Sequence, residues 1–168
     1  LSDFGTRRRF SGVWHDYLIR VLAEELPQQL RGTSNVFYAM KYGLLPMGTS
    51  AHELPMVIAA TAFARADGSQ SDSEILSGAQ NEVLREWHNL YGVGLSIALS
   101  DTFGSEFFFR TAPSEVARDW KGTRQDSGDP YTYGKRAIEW YKRHGVQPKD
   151  KLVVFSDQLH VNLMIGLH

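Results

Sequence analysis

Residues 95–103, Leu-Ser-Ile-Ala-Leu-Ser-Asp-Thr-Phe, hold the decisive pattern. The run Leu95–Leu99 is short and almost wholly apolar, as a strand covered on both faces must be. It gives way at once to the polar turn Ser100-Asp101-Thr102-Phe103. Leu152-Val153-Val154-Phe155 followed by Ser156-Asp157 repeats the same grammar. Leu44–Met47 and Trp120–Arg124 read as further strands, the latter interrupted by Lys121 and Gly122.

Helical patterns separate these runs. Phe10, Val13, Trp14, Tyr17, Leu18, Val21 and Leu22 recur at helical spacing before Pro27, which predicts an amphipathic helix with that stripe turned inward. A second helix is expected from the capping-box pattern Ser71-x-x-Glu74 to about Tyr91, with Leu76, Ala79, Val83, Leu84, Trp87, Leu90 and Tyr91 inward. A third opens with Asp129 as N-cap and Pro130 at its first position, carries Tyr133, Ala137, Trp140, Tyr141 and His144 on one side, and stops at Gly145. Shorter helices are expected after Ser34, to Gly43, and after His52, to about Arg65; residues 65–73 read as a surface loop.

Strand and helix signals that alternate in this way specify parallel βα units. Strands ending near residues 4, 32, 48, 100, 124 and 156 make six of them. A closed (β/α)8 barrel needs about 250 residues, and the sequence has 168. The expected fold is therefore α/β: one partial domain over 1–168, part of an irregular parallel (β/α) barrel that is incomplete. No repeat or linker divides it. It begins at Leu1 rather than Met, and 161–168 opens a further apolar run; both fit a piece of a longer protein.

Eighteen Lys and Arg against 19 Asp and Glu leave a formal charge of −1, with 42% hydrophobic and 22% charged residues. That balance argues against a nucleic-acid or anionic-membrane partner. The longest charge-free apolar run, Leu54–Ala64, falls short of the ~20 residues of a spanning helix. With no cysteine, disulfides, thiolate metal sites and a cysteine nucleophile are excluded. Among the histidines no HxxxH spacing marks a zinc site, and there is neither a P-loop nor a G-x-S-x-G elbow.

The chemistry collects where strands end: Phe4-Gly5-Thr6-Arg7-Arg8-Arg9, Gly32-Thr33-Ser34-Asn35, Gly48-Thr49-Ser50-Ala51-His52-Glu53, Ser100-Asp101-Thr102-Phe103, Arg124-Gln125-Asp126-Ser127-Gly128-Asp129 and Ser156-Asp157. In a parallel barrel such turns converge on one face. Glycines there let backbone approach a ligand, hydroxyls and helix N-termini donate to anions, and arginines grip phosphate or carboxylate. Aspartates on the same rim suit sugar hydroxyls or Mg2+. Six such turns on one rim describe a site for a phosphorylated sugar. Taken singly, each run is equally a set of helix caps, Arg7–Arg9 a solvated charge run, and His52 a hydrogen-bonded structural histidine. His15, His88 and His144 lie on helices and read as structural or surface residues.

Taken in order and spacing, these runs, extended by Asp3, by Pro46-Met47 and by Phe155 and Leu159, resemble the nicotinate phosphoribosyltransferase family, one of the type II phosphoribosyltransferases. The resemblance runs to about Leu159. It implies phosphoribosyl transfer from phosphoribosyl pyrophosphate to nicotinate, giving nicotinate mononucleotide in NAD salvage, coupled to ATP hydrolysis and dependent on Mg2+. By the same resemblance His52 becomes a phosphohistidine, and Asp101 is its orienting carboxylate with Glu53 second. Phe4 stacks on the pyridine ring and Arg7 faces a carboxylate or phosphate. Arg124 and Asp126 grip the ribose and pyrophosphate, with Asp157 opposite and Mg2+ on the pyrophosphate near Asp126 and Asp157. The nicotinamide-using relatives carry an aspartate in the turn of Ser34. A carboxylate there would repel nicotinate, so a hydroxyl suits the acid.

The resemblance further implies a cytoplasmic homodimer that binds no nucleic acid or membrane. Leu54 departs from the Trp usual after His-Glu in that family, and the family's N-terminal portion and later glycine-rich phosphate loop have no counterpart here. A non-catalytic remnant or interaction fragment of the same descent is the alternative expectation.

Overall fold

The computed structural model describes residues 1–167. They form two compact units, Leu1–Gly48 and the remainder from Thr49 on, each built on a three-stranded parallel sheet.

In the first unit β1 (Ser2–Asp3), β2 (Gly32–Thr33) and β3 (Leu45–Pro46) lie in chain order. Ser2 pairs with Gly32, and Gly32 with Leu45. Helix α1 (Gly12–Glu25) makes the first crossover and α2 (Val36–Tyr42) the second. Their starts are set by Ser11, whose side chain accepts from Trp14 N at 3.0 Å, and by Asn35, which accepts from Tyr38 N at 3.2 Å. Gly43, at φ +65, ends α2 in the left-handed region that a side chain would strain.

Helix α1 does not turn its apolar stripe inward. Val13 is 84% exposed, and Trp14, Tyr17 and Leu18 are exposed with it, while Phe10 lies before the helix, at 95% exposure. The buried positions are His15 and Ile19, one turn apart. A polar network draws this face in: His15 Nε2 lies 2.9 Å from Asp3 Oδ2, Thr33 Oγ1 donates to the same oxygen at 2.6 Å, and the His15 ring sits edge-on to Tyr38. Trp14 and Tyr17 stack on each other outside, with the Arg20 guanidinium over Tyr17. The periodicity located the helix but not its buried face.

In the second unit β4 (Ile97–Leu99), β5 (Gly122–Gln125) and β6 (Leu152–Phe155) again follow chain order. Helices α3 (Glu53–Arg65) and α4 (Asp72–Tyr91) precede the sheet and pack on each other. The Ser71–Glu74 capping box at the start of α4 forms as expected. Its buried side is Ile75, Ala79, Gln80, Val83 and Leu84, whereas Leu90 and Tyr91 stay exposed.

Two short helices that sequence periodicity misses, α5 (Ser105–Thr111) and α6 (Ser114–Asp119), connect β4 to β5. Helix α7 (Pro130–Arg143) connects β5 to β6, capped by Asp129 Oδ2 accepting from Thr132 N at 2.7 Å. Its expected inner face holds: Tyr133, Ala137, Trp140 and Tyr141 are buried, and Trp140 packs against Phe108 and Phe109 of α5. The terminal run forms α8 (Val161–Leu167); His168 lies outside the described residues.

Two glycines set the spacing of the sheets. A Cβ on Gly32 would overlap the Leu45 carbonyl oxygen, and one on Gly122 the Leu152 carbonyl oxygen. In both sheets that leucine is the glycine's registered partner on the next strand. The glycine that weakens the sequence signal of β5 is thus what lets β6 approach it. Among the described residues the six strands, parallel within each sheet, end within about two residues of the expected positions and bear out the α/β reading.

Candidate active site

In the second unit the strands end in polar side chains that meet one another. His52 stands at the N-cap position of α3 but does not cap it. Its ring instead meets side chains from the turns that follow β4 and β5. Nδ1 lies 3.0 Å from Thr102 Oγ1, and Nε2 lies 3.5 Å from Asp101 Oδ1 and 3.4 Å from Asp126 Oδ2. The His52 side chain is 38% exposed, so a ligand can reach it, while Asp101 is only 7% exposed.

Asp101 is fixed from its other oxygen. Ser127 Oγ donates to Oδ2 at 2.5 Å, and buried Oδ1 accepts no hydrogen bond. A buried carboxylate oxygen without a donor is costly. The His52 ring faces it at 3.5 Å.

Arg124, in β5, is held by three side chains. Its Nε donates to Ser156 Oγ at 2.8 Å, Nη1 to Thr49 Oγ1 at 2.9 Å, and Nη2 to Asp126 Oδ1 at 2.7 Å. Ser156 Oγ lies 2.6 Å from the same Asp126 oxygen. Burial pushes the Asp126 carboxyl up, but the hydrogen bonds from Ser156 and Arg124, the Arg124 charge and His52 outweigh it, holding the group below the usual carboxylate value. Asp126 therefore stays ionised beside His52 at neutral pH.

The sheet itself is braced behind this cluster. Gln125 is fully buried; its Nε2 donates to Gly128 O at 2.9 Å, and its backbone oxygen accepts from Ser156 N. Ser100 Oγ lies 2.8 Å from Tyr133 Oη. Burial raises the Tyr133 phenol well above its ordinary value, and that of Tyr141 to about 12, so both remain neutral.

Glu53 sits exposed in the first turn of α3, where a carboxylate complements the positive end of the helix. His52 is met by Asp101, Asp126 and Thr102 rather than by Glu53. Asp157 is half-buried just past β6. Next to it, Gln158 is the one non-glycine among the described residues in the left-handed region, at φ 46, a strain of the kind concentrated at working sites. Among the described residues no group of three or more His, Asp or Glu could enclose a metal.

In the first unit Phe4 and Arg7 follow β1, and Ser34 follows β2. The two turns are tied together: Ser34 N donates to Asp3 O at 2.8 Å and Asn35 Nδ2 to Thr6 Oγ1 at 3.2 Å. Phe4 and Arg7 are exposed and Ser34 half-buried.

The second-unit cluster pairs a reachable imidazole with two carboxylates and a clamped guanidinium. That set suits a nucleophile toward phosphorus, with acceptors for its proton and a cation for phosphate. Thr49, Thr102, Ser127 and Ser156 all lie in the runs quoted from the sequence. No role could be given to them there, because a hydroxyl in a post-strand turn reads the same whether it caps a helix or holds a catalytic side chain.

Residues 1–168 match the nicotinate phosphoribosyltransferase (NAPRTase) family. The fold is similar to that of a nicotinate phosphoribosyltransferase from Vibrio cholerae (TM-score 0.86, 32% identity, 99% of this chain and 37% of that one). It is equally similar to the enzyme of that name from Porphyromonas gingivalis (TM-score 0.86, 32% identity, 99% and 40%). The chain spans about two fifths of the length of these solved relatives.

Proposed function

Since the chain belongs to the nicotinate phosphoribosyltransferase family, we propose that the complete protein transfers a phosphoribosyl group from phosphoribosyl pyrophosphate to nicotinate, and that ATP hydrolysis through His52 drives the step. The product would be nicotinate mononucleotide, and the place of the reaction NAD biosynthesis. The observation that carries this reading is the His52 ring, open to solvent on one side and faced by Asp101 and Asp126 on the other.

An imidazole nitrogen of His52 attacks the terminal phosphorus of ATP, the bond to the ADP oxygen breaks, and water later cleaves the phosphorus–nitrogen bond. Asp101 and Asp126 hold the ring proton and balance the imidazolium charge. Arg124 and Asp126 bind the pyrophosphate and ribose of the second substrate, with Asp157 at the neighbouring strand end. Departure of pyrophosphate leaves positive charge at the anomeric carbon, which these carboxylates stabilise. Phe4 and Arg7 receive the pyridine ring and its carboxylate, and Ser34 admits the acid where a carboxylate would repel it.

Mg2+ fits this donor set. Asp126 and Asp157 stand at adjacent strand ends, and an ion that keeps its waters and substrate phosphates needs only one or two carboxylates from the protein. When bound it would neutralise pyrophosphate charge. On this reading the complete protein is a (β/α) barrel enzyme that works in the cytoplasm as a homodimer.

Label from γ-phosphate-labelled ATP tests the reading. The complete wild-type protein should retain acid-labile label and form nicotinate mononucleotide, and His52→Ala should lose the label. Absence of label in both, with no product, would instead favour the non-catalytic alternative.

A further inference from the structure

The buried face of α1 carries a histidine that the chemistry above does not use. The His15 ring is buried, and its Nε2 lies 2.9 Å from Oδ2 of half-buried Asp3. A carboxylate can only accept there, so the ring carries a proton on Nε2. Nδ1 is buried too and has no hydrogen-bond partner among the described residues. An apolar side chain of that size would orphan no nitrogen. What the histidine supplies instead is the Nε2 bond to Asp3.

Asp3 joins three segments. Besides His15, its Oδ2 accepts from Thr33 Oγ1 at 2.6 Å, and its Oδ1 accepts from Gly5 N at 2.9 Å. Thr33, fully buried, gives its one proton to Asp3 and accepts from Asn35 N at 3.0 Å. Asn35 Nδ2 donates in turn to Thr6 Oγ1, and Ser34 N donates to Asp3 O. These links tie the turn of Phe4 and Arg7 to the turn of Ser34. A carboxylate that accepts three hydrogen bonds is placed by its donors. Gly5 and Thr33 belong to the segments being tied, whereas His15 comes from α1 and lies outside both turns.

We infer that His15 is a positioning residue for nicotinate recognition: its Nε2–H holds the Asp3 carboxylate, which sets the Phe4–Arg7 turn against the turn of Ser34. It acts through Asp3 and touches no substrate. The kinetic consequence rests on the proposed function, in which Phe4, Arg7 and Ser34 receive nicotinate; the support of the turn does not.

The experiment compares His15→Gln and His15→Met in the complete protein. The two replacements share length and shape, but glutamine offers an N–H donor at the end of its chain and methionine offers none. His15→Met should raise KM for nicotinate roughly tenfold, as loss of one hydrogen bond to a charged group allows. KM for phosphoribosyl pyrophosphate, and kcat at saturating nicotinate, should stay near their wild-type values. His15→Gln should bring the nicotinate KM back. Exchange at the Gly5 amide, followed by mass spectrometry of the segment that carries it, should quicken in His15→Met and recover in His15→Gln. A histidine that served stability alone would lower the urea midpoint in His15→Met and leave the two KM values in their wild-type ratio. An unchanged nicotinate KM, an equal rise in both KM values, or His15→Gln no better than His15→Met would each overturn the proposal. Gly5→Ala replaces His15→Met if the latter does not fold. A Cβ there would stand 2.9 Å from Asp3 Oδ1, so the carboxylate must shift and the nicotinate KM should rise selectively; a wild-type value would overturn the proposal as well. If the wild type forms no nicotinate mononucleotide, the proposed function fails, and amide exchange alone then decides whether His15 holds the turn.

Discussion

Replacing Arg124 by Lys gives the sharpest test of the site as a mechanical unit. Arg124 uses three separate nitrogens on Ser156, Thr49 and Asp126, at 2.8, 2.9 and 2.7 Å. A lysine ammonium is a point donor on a flexible stem and cannot span this fork. It can keep the bond to Asp126 and must give up the other two. Removing a hydrogen bond from a charged group costs about 1.5–3 kcal/mol, so two amount to about 3–6. The side chain is 18% exposed, and water that enters to satisfy the freed hydroxyls should return about half of that, leaving about 1.5–3 kcal/mol. Urea unfolding of the complete protein reads the loss directly. Trp120 and Trp140, 3% and 1% exposed in the same unit, supply the fluorescence signal. Ser156→Ala should cost less on top of Arg124→Lys than in wild type, because the bond shared with Arg124 is already gone, while its contacts with Asp126 and Gln125 O are lost in both backgrounds. A loss below about 0.5 kcal/mol, or full additivity of the two changes, would refute the idea that these contacts act as one clamp.

Two further outcomes follow from the geometry. Gly122→Ala would drive a methyl group into the Leu152 carbonyl and should destabilise by about 1–3 kcal/mol, seen as a lower urea midpoint with no change in slope; an unchanged midpoint would mean that β6 can yield. Asp126 has its folded carboxyl held below the unfolded value, so it contributes stability that is present above the ordinary carboxylate range, near pH 4, and is lost as pH falls through the folded value. Asp126→Asn should therefore flatten the acid limb of the midpoint-against-pH curve relative to wild type, and parallel limbs would count against it.

The sites of secondary structure were readable for particular reasons. Leu152–Phe155 is apolar throughout and bounded by polar turns, and it is the observed β6. Asp129-Pro130 and Ser71-x-x-Glu74 announce helix starts through local hydrogen bonds that need no distant partner. Helices α5 and α6 have six or seven residues, too few for a periodicity to emerge from Glu-Phe-Phe-Phe or Glu-Val-Ala-Arg. In α1 the pattern misleads because periodicity counts apolar residues alone. The buried face there joins Ile19 to His15, and the bonds among His15, Asp3 and Thr33 satisfy the polar side chains that it takes inward.

The candidate site divides along the same line. Its residue types stand in the sequence as turns after strands, since a polar residue at a strand end is locally conspicuous. Residue order alone thus carries the succession of strands and of the helices other than α5 and α6, several of the caps that delimit them, and the list of side chains available for chemistry. Which of those side chains meet is settled by long-range packing. Thr102 is 50 residues from His52 and Thr49 is 75 from Arg124, and no local preference encodes such a pairing. It arises because parallel strands packed side by side, with glycine at Gly122 allowing the close approach, bring their carboxyl ends to one edge. There Asp101 and Asp126, rather than the adjacent Glu53, face the histidine.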